Sequence, residues 1–236
     1  MRFDPPLMPA RLLRRYKRFL ADVELADGSR TTVHCPNTGA MLGCADPGMQ
    51  VYLSRAANPK RKYPLTWELV EALPGVWVGI HTGRTNGLVR EGIETGVIRE
   101  LQGYSQLRGE VTLGQGFRVD FLLSGHSGKP NCCLEVKNVT AAVQDGVALF
   151  PDAVSERASR HLRELMARVV QGERAMLCFC VQRDDVREVR PADVIDPTYG
   201  RTLRQALAAG VEVTAYAATV GPQEVRLYRR VPVVTP

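Results

Sequence analysis

The segment RAMLCFCVQ, Arg174 to Gln182, constrains the fold of this chain more than any other. Successive side chains of a strand point to opposite faces, so a half-buried strand alternates apolar and polar residues. A run that is apolar at every inner position belongs to a strand covered on both faces, the condition of parallel strands inside an α/β sheet. The flanking patterns agree. PDAVSERASRHLRELMARVVQGE has the helical period, with Ala158, Leu162, Leu165, Met166 and Val169 as the expected buried stripe. Arg157, His161, Glu164 and Arg168 are expected on another face. DPTYGRTLRQALAAG reads as a second helix ended by Gly210, and VEVTAY and EVRLYRRV read as strands. TNGLVREGIETGVIRELQG predicts a further helix over 85–103, and strands are expected near 109–113, 117–123 and 131–137. Residues 84–236 therefore read as a mixed α/β domain.

Residues 1–83 have a different texture. FLADVELADGSRTTVHC is two alternating runs around a turn, and MQVYLSRAA and GVWVGIHT are further strands set off by Gly and Pro. RLLRRYKRFL is open: its apolar positions 12, 13, 16, 19 and 20 fit a helix, yet it runs directly into the first strand. Several short strands separated by turns point to a small barrel or sandwich. At 236 residues the chain is long enough for two such domains, each with its own core.

No apolar run approaches the length of a membrane span, and MRFDPPLMPARLLRRYKRF has no continuous apolar stretch after its basic residues. The cytoplasm is the expected compartment. The six cysteines lack the paired spacing of a zinc site, which leaves reduced thiols acting as small buried hydrophobes. The net charge of +6 lies mostly in residues 1–83, which hold 11 Lys and Arg against 7 Asp and Glu. A basic surface there points to a polyanionic partner, nucleic acid first, or to ordinary solubilising charge.

The stretch RVDFLLSGHSGKPNCCLEVKN carries charge where half-buried strands usually do not. Glu135 and Lys137 share a face with Cys133, while Leu134 and Val136 point the other way. If the two strands pair antiparallel across the Gly/Ser/Pro turn, Asp120 approaches Glu135 from the side. Two converging carboxylates can hold a hard divalent cation such as Mg2+ or Mn2+, and a neighbouring Lys can orient water or stabilise developing negative charge. The same residues also fit a plain cross-strand salt bridge.

Six segments in order along the chain, RYKRFLADV, HCPNTGAM, KRKYPLTWEL, VDFLL…CLEVKNVT, FPDAVSERASRHLREL and VEVTAY, resemble the sugar fermentation stimulation protein family, SfsA. The resemblance implies an N-terminal OB-like barrel and a C-terminal domain similar to the PD-(D/E)xK nucleases. It also implies DNA binding and a role in regulating sugar (maltose) metabolism. Matched by position, Asp120 is the first acid of the nuclease motif, and Glu135 and Lys137 are its E-x-K. Val119 stands where the nuclease motif has Pro, and Asn138 where related chains have Ser. Glu110 is the expected upstream acid, with Glu100 and Glu91 behind it. Whether such a chain is a Mg2+-dependent nuclease or a binding protein that keeps only the fold stays open, because function lives in the site.

Two basic clusters interleave with aromatics. NPKRKYPLTWEL brings Lys60, Arg61 and Lys62 next to Tyr63 and Trp67, and LLRRYKRFL brings Arg15, Lys17 and Arg18 next to Tyr16. Basic side chains track phosphates and aromatic faces stack on bases, so both clusters are candidate DNA contacts, while Tyr16, Tyr63 and Trp67 taken alone fit core positions slightly better. Asn37, in HCPNTGAM, is expected to meet phosphate or to cap a turn, and Arg157 and His161 to reach phosphate from the helix.

Overall fold

The computed structural model describes residues 1–58, 60–141 and 144–236. Its N-terminal part holds strands β1 (Met8–Tyr16), β2 (Leu20–Leu25), β3 (Arg30–His34), β4 (Gln50–Arg55), β5 (Leu65–Leu73) and β6 (Val76–Gly79). β1 pairs antiparallel with β2 and β4, β2 with β3, and β4 with β5. A parallel bridge from His34 of β3 to Thr66 of β5 then closes five strands into a barrel. Closure removes the unpaired edges that an open sheet of short strands would expose. Leu12, Val23, Val33, Leu53, Trp67 and Val70 fill the interior.

The ambiguous segment RLLRRYKRFL is strand, not helix. Lys17 and Arg18 adopt positive φ (48° and 62°), a left-handed pair that turns the chain so that Tyr16 faces Leu20 across β1 and β2. Local helical spacing was overridden by pairing on both edges of β1. The strand β5 was not anticipated at all. Its residues Leu65 to Val70 are all buried, because Trp67 and Val70 point into the barrel while Leu69 joins the core of the second domain.

The C-terminal part comprises α1 (Thr85–Glu94), β7 (Gln106–Leu113), β8 (Phe117–Ser124), β9 (Cys132–Val139), β10 (Val147–Phe150), α2 (Glu156–Val170), β11 (Arg174–Val181), β12 (Glu188–Pro191), α3 (Pro197–Ala208), β13 (Glu212–Val220) and β14 (Val225–Val231). The expected helix over 85–103 stops at Glu94. Gly96 takes a φ of 78°, and only a short 3-10 turn, Arg99–Leu101, follows. The main sheet has the order β14-β13-β11-β9-β8-β7, with β9, β11 and β13 parallel and the outer pairs antiparallel. β10 and β12 form a separate parallel pair.

The central strand β11 carries the continuous apolar run from Ala175 to Val181. Leu177, Phe179 and Val181 pack under α2 and α3, while Met176, Cys178 and Cys180 pack under α1. Both faces are covered, so both must be apolar. All six cysteines are buried and free, and burial pushes the Cys180 thiol up to about 12, which makes it an inert hydrophobe. No helix among the described residues is long and apolar enough to cross a membrane.

Candidate functional site at the end of the β8–β9 ladder

β8 and β9 pair at Leu123–Cys132, Leu122–Cys133 and Phe121–Leu134, and the ladder stops there. The next position opposes Asp120 and Glu135. Beyond the last rung the amide of Val136 has no backbone acceptor on β8, and a buried N–H needs one. The Asp120 carboxylate fills that role: Val136 N donates to its Oδ2 at 2.7 Å. Its other oxygen accepts from Asn86 Nδ2 at 2.9 Å, from the first turn of α1. The acid is thus fixed by two elements, one on each side.

Glu135 lies on the α2 face of β9 and is 3% exposed. Its Oε1 accepts from Lys137 Nζ at 2.5 Å and is 2.5 Å from His161 Nδ1. Arg157 Nε donates to His161 Nε2 at 3.4 Å. The ring therefore uses Nε2 as its acceptor, which leaves the proton on Nδ1, facing Glu135. Among the described residues nothing donates to Glu135 Oε2. Burial pushes the Glu135 carboxyl up, but the His161 hydrogen bond and the Lys137 charge outweigh it, and the net value lies below the ordinary range. Asp120 moves the other way. Burial raises it first and the negative charge of Glu135 raises it further, against the pull of Val136 N, Asn86 and Lys137.

Glu110 joins this group through Asn86, whose Nδ2 also donates to Glu110 Oε1 at 3.2 Å. It sits on β7 opposite Asp120 with a φ of 57°, exposed, and paired with Arg118 at 2.6 Å. The other two upstream acids are held elsewhere. Glu100 bonds Tyr216 and Thr214, and Glu91 holds the N-terminal ammonium of Met1. Among the described residues no three His, Cys, Asp or Glu side chains converge as a metal cage. Two carboxylates with hard oxygen donors still suit Mg2+, which keeps several waters and takes one or two carboxylates alongside phosphate oxygens. The upward shift of Asp120 fits the same assignment, because a cation between the acids would offset both the burial of the charge and its repulsion from Glu135.

Several expected DNA contacts are placed otherwise. Trp67 is 0% exposed, and its Nε1 donates to Leu69 O at 2.9 Å inside the barrel, so no ring face is open to a base. His161 was expected on a polar helix face; it is 7% exposed, edge-on to Phe117, and serves Glu135 rather than a phosphate. Arg15 Nη2 is occupied by the carbonyls of Arg18, Asn37 and Gly39. Asn37 caps its own turn, taking the amide of Gly39 at 2.9 Å. These two residues build the HCPNTGAM loop, which docks on the second domain where Met41 N donates to Asp152 Oδ2 at 3.1 Å. Lys17, Arg18, Lys60, Arg61, Lys62 and Arg157 are exposed, and Lys62 lies over the half-exposed Tyr63 ring at 5.5 Å. Asn86 was not anticipated. Its only sequence cue is a position at the start of a helix, and its partner is 34 residues away.

Comparison with known proteins places this chain among relatives. Residues 83–224 match the model of the sugar fermentation stimulation protein RE domain, and residues 13–80 match the SfsA N-terminal OB domain. Sugar fermentation stimulation protein homologs of Alkalilimnicola ehrlichii and Pelobacter propionicus are 56% and 58% identical, and the alignments cover 100% and 98% of both chains. The structure of Pyrococcus furiosus SfsA, described in complex with Ca2+, superposes with a TM-score of 0.88 at 27% identity. It covers 99% of this chain and 98% of that one.

Proposed function

The chain belongs to the sugar fermentation stimulation protein family, and from that premise we propose that it binds DNA and holds a divalent cation, Mg2+ or Mn2+, between Asp120 and Glu135. The observation that carries this reading is the pair of carboxylates just beyond the end of the β8–β9 ladder, with Asp120 pushed up in pKa first by burial and then by the charge of Glu135. The Ca2+ described with the Pyrococcus furiosus relative supports it, since Ca2+ takes the same hard oxygen ligands. Such a cation, when bound, lowers the pKa of a coordinated water and neutralises charge on a phosphate.

The protein's own residues divide the remaining work. Asn86 and Val136 N hold Asp120, and His161 and Lys137 hold one oxygen of Glu135 and leave the other open. Lys137 has two further N–H groups with no protein acceptor among the described residues, and these are free for a phosphate oxygen. Lys60, Lys62, Lys17 and Arg18 on barrel loops supply phosphate contacts that do not depend on base sequence. Regulation of sugar (maltose) metabolism, which the resemblance implies, would then act through DNA binding.

A second reading, a DNA-binding regulator without hydrolysis, is favoured by one observation: Lys137 is already engaged with Glu135. Two measurements separate the readings. Wild type and Asp120→Asn are melted with and without Ca2+ or Mg2+, and nicking of supercoiled plasmid is followed in Mn2+. A wild type with no cation-dependent rise in Tm removes the metal site, because a ligand bound only by the folded state must raise it. A rise without nicking leaves the binding protein.

A further inference from the structure

A cavity of about 660 Å³ lies at the first turns of α2 and α3, outside the acid pair. Arg157, Arg160 and Arg163 of α2 line it, spaced three apart along one side of the helix and all exposed. Among the described residues none of the three has a carboxylate partner. Arg157 donates to His161, and Arg160 and Arg163 make no side-chain hydrogen bond. Two acids also line the cavity. The buried Asp196 is engaged by two backbone amides, Tyr199 N and Ser155 N, each at 2.9 Å, and Glu156 is exposed at the rim. Three guanidinium groups therefore face two acidic side chains, one of which is already held by the protein's own donors.

Ser159, in the cavity wall, supplies the second observation. It is 2% exposed, and its hydroxyl is buried with no hydrogen-bond partner. A buried hydroxyl left unpaired is costly and uncommon, so its position calls for an acceptor that the protein does not provide. The first turns of α2 and α3, helices of 15 and 12 residues, are capped from within, by Ser155 Oγ on Ala158 N and by Asp196 on Tyr199 N, so the donors left for a ligand are the guanidinium groups and the Ser159 hydroxyl.

We infer that this cavity binds a phosphate monoester. A dianion matches three guanidinium groups without carboxylate partners better than a singly charged diester does. Two sources carry this chemistry: the phosphorylated end of a nucleic-acid strand, and a free phosphate ester. Through Arg157 and His161 the cavity connects to Glu135, so a strand ending here would run towards the acid pair. The strand-end source rests on the DNA-binding reading above; the phosphate chemistry does not.

The test uses the full chain and four probes: inorganic phosphate, glycerol 3-phosphate, and two otherwise identical short duplexes ending in 5′-phosphate or 5′-hydroxyl. Affinities are measured by calorimetry for wild type, the double variant Arg160→Ala/Arg163→Ala, and Ser159→Ala, with thermal melts to confirm folding. For the strand-end source the phosphorylated duplex binds about tenfold tighter than the hydroxyl one, the worth of a charge-assisted hydrogen bond. That ratio falls to about one in the double variant and partway in Ser159→Ala, since both remove donors to the phosphate. For the free-ester source the duplexes bind alike, while inorganic phosphate and glycerol 3-phosphate bind wild type and not the double variant. The site is overturned if no phosphate probe is preferred, or if a preference survives in the double variant. Binding of the hydroxyl duplex reports on the DNA-binding reading by itself, so the two readings fail independently.

Discussion

Glu68 on β5 and Glu135 on β9 are both strand glutamates, 1% and 3% exposed, and each has a basic neighbour, yet they are held in different ways. Glu68 is closed on both oxygens. Arg84 grips it with Nε on Oε2 at 2.5 Å and Nη2 on Oε1 at 2.6 Å, and Ser54 Oγ adds a third donor at 2.5 Å. This two-pronged pair ties the barrel to the residue that leads into α1, and its planar fork fixes the angle between them. Glu135 is held on one oxygen only, faces a second carboxylate, and shifts that neighbour's pKa in the opposite direction from its own. Burial of an acid is therefore common to structure and function in this molecule. What marks the site is a carboxylate with an unclaimed oxygen beside another whose proton affinity has been pushed apart from it.

The comparison breaks first at Arg84. Replacing Arg84 with Leu strands a buried charge, and unfolding in urea is expected to show a loss of about 3–5 kcal/mol that Ca2+ or Mg2+ does not repair. A loss under about 1 kcal/mol would mean that Glu68 is not the closed structural pair described above. Lys137→Met is the matching change at the other glutamate. There His161 remains, so a loss of about 1–3 kcal/mol is expected, and a divalent cation should recover part of it. Equal behaviour of the two variants towards the cation would erase the distinction.

Asp120→Asn should move stability by no more than about 1 kcal/mol without metal, because one lost acceptor is offset by relief of repulsion from Glu135. It should also abolish any rise in Tm on adding Ca2+ or Mg2+. The sign of the pH dependence follows from the raised Asp120 carboxyl. Such a group binds its proton more tightly folded than unfolded, so its contribution is complete below the ordinary aspartate pKa and is lost as pH rises through the raised value. Glu135, lowered, acts in the opposite sense, adding stability that disappears as pH falls through its depressed value. In chelator, Tm against pH should therefore lack the high-side decline in Asp120→Asn, and an unchanged profile would show that the Asp120 carboxyl is not raised.

The smallest effect concerns charges that are not buried. Lys60→Ala with Lys62→Ala should leave stability within about 0.5 kcal/mol. The slope of log affinity for DNA against log salt should fall by about 0.7–0.9 for each phosphate contact removed. An unchanged slope takes this loop out of the interface and leaves Lys17 and Arg18 as the remaining barrel cluster.

Much of this arrangement was legible in the chain because it depends on short periods. The two-residue repeat of β9 placed Glu135 and Lys137 on one face, as found, and the expected antiparallel pairing of β8 with β9 runs to Phe121 and Leu134, one position short of Asp120 and Glu135. The seven consecutive apolar residues of β11 required cover on both faces, and α1 lies on one with α2 and α3 on the other. Where reading by pattern failed, a distant partner had changed what a residue could afford to be. Thr66 and Glu68 interrupt the apolar run of β5 because Arg61 and Arg84 satisfy them, so a strand covered on both faces looked like a basic loop. His161 has the spacing of a polar helix face and is buried nonetheless, because the Glu135 carboxylate, 26 residues earlier, hydrogen-bonds its Nδ1.

For residues 1–83 the short strands left a barrel and a sandwich open, and the family resemblance implied the barrel; by itself the sequence determined the mixed α/β domain, the strands that carry the acids, and the face on which Glu135 and Lys137 lie. Those follow from steric rules that act over two to four residues and need no knowledge of the partner. Only the tertiary structure decided that Trp67 and Asn37 are internal, that Asn86 bridges Asp120 to Glu110, and that one buried glutamate is sealed while the other is open. Each of those outcomes depends on which donors reach a carboxylate or a ring across tens of residues. Desolvation makes an unmatched polar group so costly that the arrival or absence of one donor settles its role.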